Sequence, residues 1–256
     1  MLAEVSIDLF TRDGLAYLTR WGHVLVGIAW IGLLYFFNLV QVPAFAEMEA
    51  AARNNALDKL TWRALWWFRW AAAATFTFGV LLLLFQRGMD GTGTQLFDMD
   101  YWKSNQGISI LTGIILGTTM FLNVWGVIWR NQRVVIANAR NVLAGGEANP
   151  AAAEAGRRAL LASRQNVIFS IPMLLFMVGT AHFPYQVAEA AAGRRALYWL
   201  VTLVIWAAFE LNALGYLGGT GTGGSRVVYD THHNALWTAF AYGAFSLLLF
   251  LVVLGS

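Results

Sequence analysis

Six stretches of this sequence are apolar for long enough to cross a bilayer as helices, and this feature constrains the fold more than any other. A spanning helix needs roughly 20 apolar residues, because each residue advances the helix by about 1.5 Å across a hydrocarbon core of about 30 Å. The runs are continuous and lack the alternation of a membrane β-barrel. The sequence therefore predicts an all-α, polytopic transmembrane helix bundle, one domain over residues 1–256 with spans at about 17–40, 64–85, 108–129, 167–183, 196–217 and 235–254.

The composition indicates the same class of protein. Of 256 residues, 58% are hydrophobic and 12% are charged, and the mean hydropathy is +0.56. Soluble domains are about a quarter charged, so these values exclude an ordinary soluble enzyme and a disordered chain. A net charge of +3 is too small to suggest nucleic-acid binding. The sequence contains no cysteine, which excludes an iron–sulfur cluster, a disulfide and covalent haem attachment through C-x-x-C-H.

The distribution of Lys and Arg predicts the orientation of the bundle. Six spans put six of these cations at one end and eleven at the other, which we call the arginine-rich end. Cytoplasmic loops carry an excess of Lys and Arg, so we predict both termini on the outer, periplasmic side and a cytoplasmic helical hairpin at 131–163. The cations of the arginine-rich end are Arg53, Lys59, Arg63, Arg69, Arg130, Arg133, Arg140, Arg157, Arg158, Arg164 and Arg226.

Two histidines form the first candidate site. His23 lies one turn inside the first span and His182 lies at the end of the fourth, so the alternating direction of the spans puts them at similar depth near the outer face. Two neutral imidazoles on separate helices at one level are what a b-type haem requires. We expect both as axial ligands of the haem iron, with Arg20 beside a propionate. The alternative is that each imidazole only hydrogen-bonds a backbone carbonyl.

A second candidate site lies near the opposite end. His232 and His233 stand at the mouth of the sixth span, and Glu210 lies in the inward half of the fifth. Ionisable groups at membrane depth are costly and mark functional positions. The pattern indicates a second metal or haem site, or a quinone site with linked proton transfer in which Glu210 is the carboxylate. Adjacent helical positions diverge by about 100°, so only one imidazole should face the bundle. The alternative is a hydrated helix entrance with Glu210 bonded to Asn212 or to backbone.

Several motifs carry a family resemblance. They are Arg20-Trp21-Gly22-His23-Val24, Gly27-Ile28-Ala29-Trp30-Ile31-Gly32, Tyr35-Phe36, Asn123-Val124-Trp125, Asn131-Gln132-Arg133, Pro172-Met173-Leu174-Leu175-Phe176-Met177 and Ala181-His182-Phe183-Pro184. Over roughly residues 15–185 the chain resembles the membrane domain of the bacterial membrane-bound urate hydroxylase family, also called the urate oxidase N-terminal domain. The resemblance implies a multi-pass redox protein of the bacterial inner (plasma) membrane. Family members often continue into a cytochrome c domain. Because this sequence has no cysteine for covalent haem attachment, we expect the cytochrome to be a separate protein here.

Three functions fit these observations. The first is an oxidoreductase subunit that uses haem b to transfer electrons between a membrane donor and a partner protein. The second is a urate or purine hydroxylase with an external cytochrome c as acceptor, and the third is a copper-handling or transport protein. A urate pocket built from Asn131, Gln132 and Arg133 would lie far from His23 and His182, and this separation favours the first function. The expected partners are the lipid bilayer and other membrane or cytochrome subunits.

Overall fold

The computed structural model describes residues 8–183 and 188–255. Within them, six helical runs are long and apolar enough to cross a membrane, which confirms the predicted all-α bundle of about six spans. Pro184 of the last motif lies outside the described residues. The runs are α1 Arg12–Glu47, α2 Ala50–Phe85, α3 Asn105–Leu143, α4 Ala151–Gly179, α5 Ala192–Ala213 and α6 His232–Leu254. Short helices at Met99–Lys103 and Val227–Asp230 lie in two of the connections.

Several helices are longer than the apolar spans that the sequence predicts. α2 begins at Ala50 rather than at residue 64, and α3 continues to Leu143 rather than to residue 129. The arms of the predicted hairpin at 131–163 are therefore continuations of α3 and α4, separated by a turn in which Gly145 has a φ of +83°. The backbone continues as helix into water because the sequence supplies no glycine or proline between residues 127 and 144 to stop it.

Two spans end earlier than predicted. α4 ends at Gly179, so His182 lies in the turn after the helix, where its N–H donates to the Gly179 carbonyl oxygen at 2.8 Å. α5 ends at Ala213 instead of residue 217, because Gly215 has a φ of +89°. This left-handed conformation favours glycine and terminates a helix.

α4 is the central helix of the bundle. In its apolar stretch 67% of the residues are buried, against 22% in α1. Tyr35 of α1 lies 2.8 Å from the Ser170 hydroxyl, and Asn38 donates to Ser163 at 2.8 Å. The residue numbers rise in α1 and fall in α4 along this contact, so the two helices are antiparallel. The polar side chains of α4 thereby lie in the middle of the protein.

Both ends of the described chain lie at one end of the bundle. The Arg12 guanidinium donates to the Phe85 carbonyl oxygen at the end of α2, and Asn105 at the start of α3 donates to the Leu254 carbonyl oxygen. This arrangement is what six alternating spans require. Which side of the membrane this end faces stays a prediction from the charge distribution.

Three of the long helices each contain a π-helical segment. These segments are Phe36–Gln41 in α1, Leu57–Thr61 in α2 and Val124–Ile128 in α3. A π turn holds one residue more than an α turn, so it rotates the side chains that follow, and such turns occur frequently at functional sites. All three segments lie in the half of the bundle nearer the arginine-rich end.

The close approach of α3 and α4 depends on glycine. A Cβ at Gly113 would lie 3.1 Å from the Met177 side chain, and one at Gly117 would lie 3.7 Å from Met173. Spacing of this kind lets two membrane helices pack closely.

We expect Gly113→Leu to lower the free energy of unfolding by about 1–3 kcal/mol, because the added side chain overpacks this contact. The matched control is Gly32→Leu, since a Cβ at Gly32 meets nothing within 4 Å. Unfolding of both variants in detergent, followed by circular dichroism, measures the difference. Equal stability of the two would show that the α3–α4 contact does not need glycine.

Candidate functional site

His23 has the hydrogen bonding of a ligand histidine. Its Nδ1 lies 2.8 Å from the Thr75 carbonyl oxygen of α2, and a Cβ at Gly79 would lie 3.2 Å from the ring. A carbonyl oxygen only accepts, so Nδ1 is the donor and Nε2 keeps its lone pair. Metal-bound histidines are commonly oriented by such a bond to a carbonyl. The same bond also fits the alternative stated above, in which the His23 imidazole only hydrogen-bonds a backbone carbonyl and binds no metal.

His182 lies at the same end of the bundle but has different neighbours. From the contact between Tyr35 and Ser170, His23 lies roughly three helical turns back along α1, and His182 follows a similar number of residues later in the antiparallel α4 and its turn. His182 is exposed, and the adjacent Phe183 packs against α4 and α6 through Phe176 and Phe250. His23 instead packs against α2. No contact between the two imidazoles is found in the described part of the chain.

Arg20, the predicted propionate partner, lies one turn from His23 on α1. Its guanidinium donates to the Gln86 amide oxygen at 2.7 Å, an uncharged partner that leaves the positive charge available to an anion. Neither of the two cavities considered below is lined by a histidine.

The second predicted site is not assembled as a metal centre. The rings of His232 and His233 lie 4.1 Å apart, centroid to centroid, although helical spacing predicts that they diverge. Their side-chain torsions bring them together on the first turn of α6, where His233 is exposed. Within residues 8–183 and 188–255 no group of three His, Asp or Glu side chains is placed to hold a metal ion. Glu210 belongs to a different cluster.

Glu210 joins a buried polar network between α3, α4 and α5. Its carboxylate accepts from the Asn123 amide at 3.2 Å, and Asn123 also donates to Asn166 at 3.1 Å. Asn166 in turn donates to the Met120 carbonyl oxygen. Exposed fractions of 9%, 3% and 0% for Glu210, Asn123 and Asn166 show that this network is inside the bundle. The partner of Glu210 is thus Asn123, whereas Asn212 donates to the Ser225 carbonyl oxygen.

Tyr229, in the short helix before α6, is buried near this network. Its hydroxyl lies 2.7 Å from the Gln165 amide oxygen and 3.0 Å from the Phe209 carbonyl oxygen. Burial raises the pKa of Tyr229, and the nearby Glu210 carboxylate raises it further. The phenol therefore stays protonated and serves as a hydrogen-bond donor.

A cavity of about 190 Å³, which we call the amide pocket, lies among α1, α2, α3 and α4. Each of the three π segments supplies part of its wall, through Asn38, Thr61 and Ile128 among others. Helical distortions at three separate places in the chain therefore meet at one cavity. Its lining residues are Phe37, Asn38, Gln41, Val42, Thr61, Leu65, Phe68, Ile128, Gln132, Gly156, Ala159, Leu160 and Ser163.

Two amide oxygens of the pocket residues lack a donor within the described chain. The Asn38 amide nitrogen donates to the Leu34 carbonyl oxygen at 2.9 Å and to Ser163, which fixes its orientation and leaves Oδ1 unpaired. Oε1 of Gln132 is also buried and unpaired. An unsatisfied buried acceptor costs about 1–3 kcal/mol. A ligand with N–H groups would recover this free energy.

The rest of the wall suits a flat ring that is bound through hydrogen bonds rather than ion pairs. Phe37 and Phe68 pack edge to face with their centroids 5.4 Å apart, and both line the cavity. Thr61 donates to the Gln41 amide oxygen at 3.0 Å. The described lining contains no ionisable side chain, so it can bind and orient a ligand through amide and hydroxyl groups but cannot itself exchange a proton with it.

The sequence identifies only part of this pocket. Of the three residues predicted for a urate site, Gln132 lines the cavity, Asn131 donates to the Val127 carbonyl oxygen of its own helix, and Arg133 is exposed. Asn38 and Gln41 were missed. The available signal was the presence of two buried amides at the end of an otherwise apolar span, since unpaired polar groups are expensive there.

Within the described residues, six helices that are long and apolar enough to cross a membrane define a multi-pass membrane helix bundle, and the polar sites described above lie within it. Residues 93–213 match the family model described as urate oxidase N-terminal. The match confirms the predicted resemblance and supports a urate hydroxylase-like membrane family. It covers α3, α4 and α5, whereas the predicted resemblance began near residue 15 in α1. No curated protein and no solved structure matches this chain.

We expect Glu210→Leu to lower the free energy of unfolding by about 1–3 kcal/mol, because it leaves a buried Asn123 N–H without an acceptor. Glu210→Gln keeps an acceptor oxygen and should retain most of the stability. Thermal unfolding of the full chain in detergent compares the two variants. If both lose the same stability, the bond to Asn123 is not what holds α5 in place.

Proposed function

We propose that this protein is the membrane domain of an oxidoreductase that binds urate or a closely related purine in the amide pocket. The observation that carries the proposal is the pair of unpaired oxygens on Asn38 and Gln132 beside a cavity that all three π segments help to form. The family match supports it, because the matched segment includes Gln132 and Ser163 of the pocket.

The chemistry of a purine corresponds to the groups that line this cavity. Urate is planar and carries both N–H donors and carbonyl acceptors at its rim. The Asn38 and Gln132 oxygens accept from N–H groups, and side-chain amide nitrogens donate to carbonyls. The aromatic pair Phe37 and Phe68 supplies an apolar wall. A site built from a few polar groups in a mostly apolar cavity is typical for a small ligand.

Hydroxylation of urate needs an electron acceptor. The ring gains the oxygen of one water molecule at a carbon atom and releases two electrons and two protons overall. The proposed acceptor is an external cytochrome c, which takes one electron at a time, so two cytochrome molecules are reduced for each urate that is oxidised. In this scheme the amide pocket binds the purine, fixes its orientation and excludes bulk water.

Gln132→Leu tests the pocket, because it separates binding from stability. The variant removes an unpaired buried oxygen, so its thermal stability should equal or exceed that of the unchanged protein. Urate binding should weaken about tenfold, equivalent to about 1.4 kcal/mol for one lost hydrogen bond. Equilibrium dialysis of the detergent-solubilised chain with radiolabelled urate measures the affinity.

Asn55→Leu is the control for this experiment, since Asn55 is an exposed amide that bonds only within its own helix turn, to the Ala51 carbonyl oxygen. Its urate affinity should not change. Absence of urate binding to the unchanged chain, or equal affinity in Gln132→Leu, would refute the amide pocket as a purine site.

We propose electron transfer through a b-type haem as a second candidate function. It is favoured by the bond from His23 Nδ1 to the Thr75 carbonyl oxygen, which leaves Nε2 as a ligand atom. His23 and His182 would hold the haem iron and Arg20 would pair with a propionate. Bound in this way, haem would supply one-electron chemistry between a membrane donor and a partner protein.

A reduced-minus-oxidised absorption spectrum of the purified chain, with a pyridine haemochrome assay, tests this second function. We expect an α-band of b-type haem that is lost in His23→Ala and in His182→Ala. His233→Ala is the matched control and should retain the band. A band that survives in both ligand variants, or no band in the unchanged protein, would contradict the assignment.

A further inference from the structure

A second cavity, of about 380 Å³, lies at the arginine-rich end, outside the amide pocket. We call it the basic pocket. It opens between α2, at its π segment and the two turns that follow, and the end of α3. Its lining residues are Asp58, Lys59, Trp62, Arg63, Trp66 and Arg140.

The basic pocket has a surplus of positive charge. Its lining contains three cations and one carboxylate among the described residues. Asp58 pairs with both Lys59, at 2.6 Å, and Arg140, so one negative charge is shared by two cations. Arg63 donates to the Lys59 carbonyl oxygen, which is uncharged. Two positive charges therefore remain for an anion.

Tryptophans place this pocket at the height of the membrane–water interface. Trp66 lines the pocket and packs against Trp67 and Trp70 on the outside of the bundle. These three side chains are 45%, 64% and 48% exposed. Exposed tryptophans on a spanning bundle gather where lipid headgroups meet the acyl chains. The cations of the pocket follow within about two turns, at headgroup level.

Arg140 is held in position for such a ligand. Its guanidinium lies over the Trp62 ring, 4.7 Å from the centroid, and its Nε donates to Asp58. The fork of a guanidinium retains N–H groups for a phosphate when one edge is occupied. Lys59 and Arg63, by comparison, reach the pocket from α2, one turn apart.

We propose that the basic pocket binds the phosphate headgroup of an acidic phospholipid. Basic pockets between spanning helices on the cytoplasmic side are suited to anionic headgroups, which that leaflet supplies. The position of the tryptophans at the membrane–water interface favours a lipid over a soluble anion. The glycerol and acyl chains of a lipid can lie along the exposed faces of Trp66 and Trp67. This binding site is separate from the proposed purine pocket and does not depend on its function.

Native mass spectrometry of the full chain in a neutral detergent tests the proposal. We expect phosphatidylglycerol to remain bound at concentrations where phosphatidylcholine with the same acyl chains does not. Lys59→Gln and Arg63→Gln should each weaken phosphatidylglycerol binding about fivefold, the equivalent of about 1 kcal/mol per cation near an anionic headgroup. Arg53→Gln is the matched control, because Arg53 is an exposed cation at the same end that does not line the pocket.

Three outcomes would overturn the proposal. They are equal retention of the two lipids, equal loss of binding in Arg53→Gln and Arg63→Gln, and displacement of phosphatidylglycerol by millimolar inorganic phosphate, which would identify a free-phosphate site instead. Thermal unfolding of each variant should match that of the unchanged protein, since the replaced side chains lie on the surface.

Discussion

No hydrogen-bonding solvent reaches the hydrocarbon core of a membrane, so each polar side chain inside this bundle needs a partner from the protein or from a ligand. α4 supplies several of these partners, because Ser163, Asn166 and Ser170 lie on the helix with the highest buried fraction. The Glu210 network meets this requirement, because the Asn123 amide donates to both the Glu210 carboxylate and the Asn166 amide oxygen. The oxygens of Asn38 and Gln132 are among the buried polar atoms that lack a partner in the described chain, and the proposed purine would pair with these two.

The six spans could be predicted because hydropathy over 20 residues responds directly to the membrane. Helix ends were less predictable, since an amphipathic helix continues into water until glycine or proline stops it. α5 ends at a left-handed Gly215, and α3 passes its apolar limit to reach Leu143. The π segments have no recognisable sequence pattern, because one extra residue in a turn changes neither composition nor hydropathy.

The candidate sites show the same limit. Glu210 was identifiable because a carboxyl group within an apolar span is rare, but its partner was not, since Asn123 lies on a distant helix. Gln132 was among the residues named for a purine site, whereas Asn38 and Ser163 reach the same cavity from other helices only after folding. The pairing of His23 with Thr75 likewise depends on the approach of α2 to α1. The chemical type of each side chain can be read from the sequence, whereas its contacts in the folded protein cannot.

The three π segments have an evolutionary consequence. A π turn is geometrically equivalent to one residue inserted into an α-helix, and such turns occur frequently at functional sites. Relatives that lack the cavity should therefore be shorter by one residue at these points. An alignment of such chains would place single gaps in the middle of hydrophobic spans, where gaps are otherwise rare, and those gaps would mark the chains without the cavity.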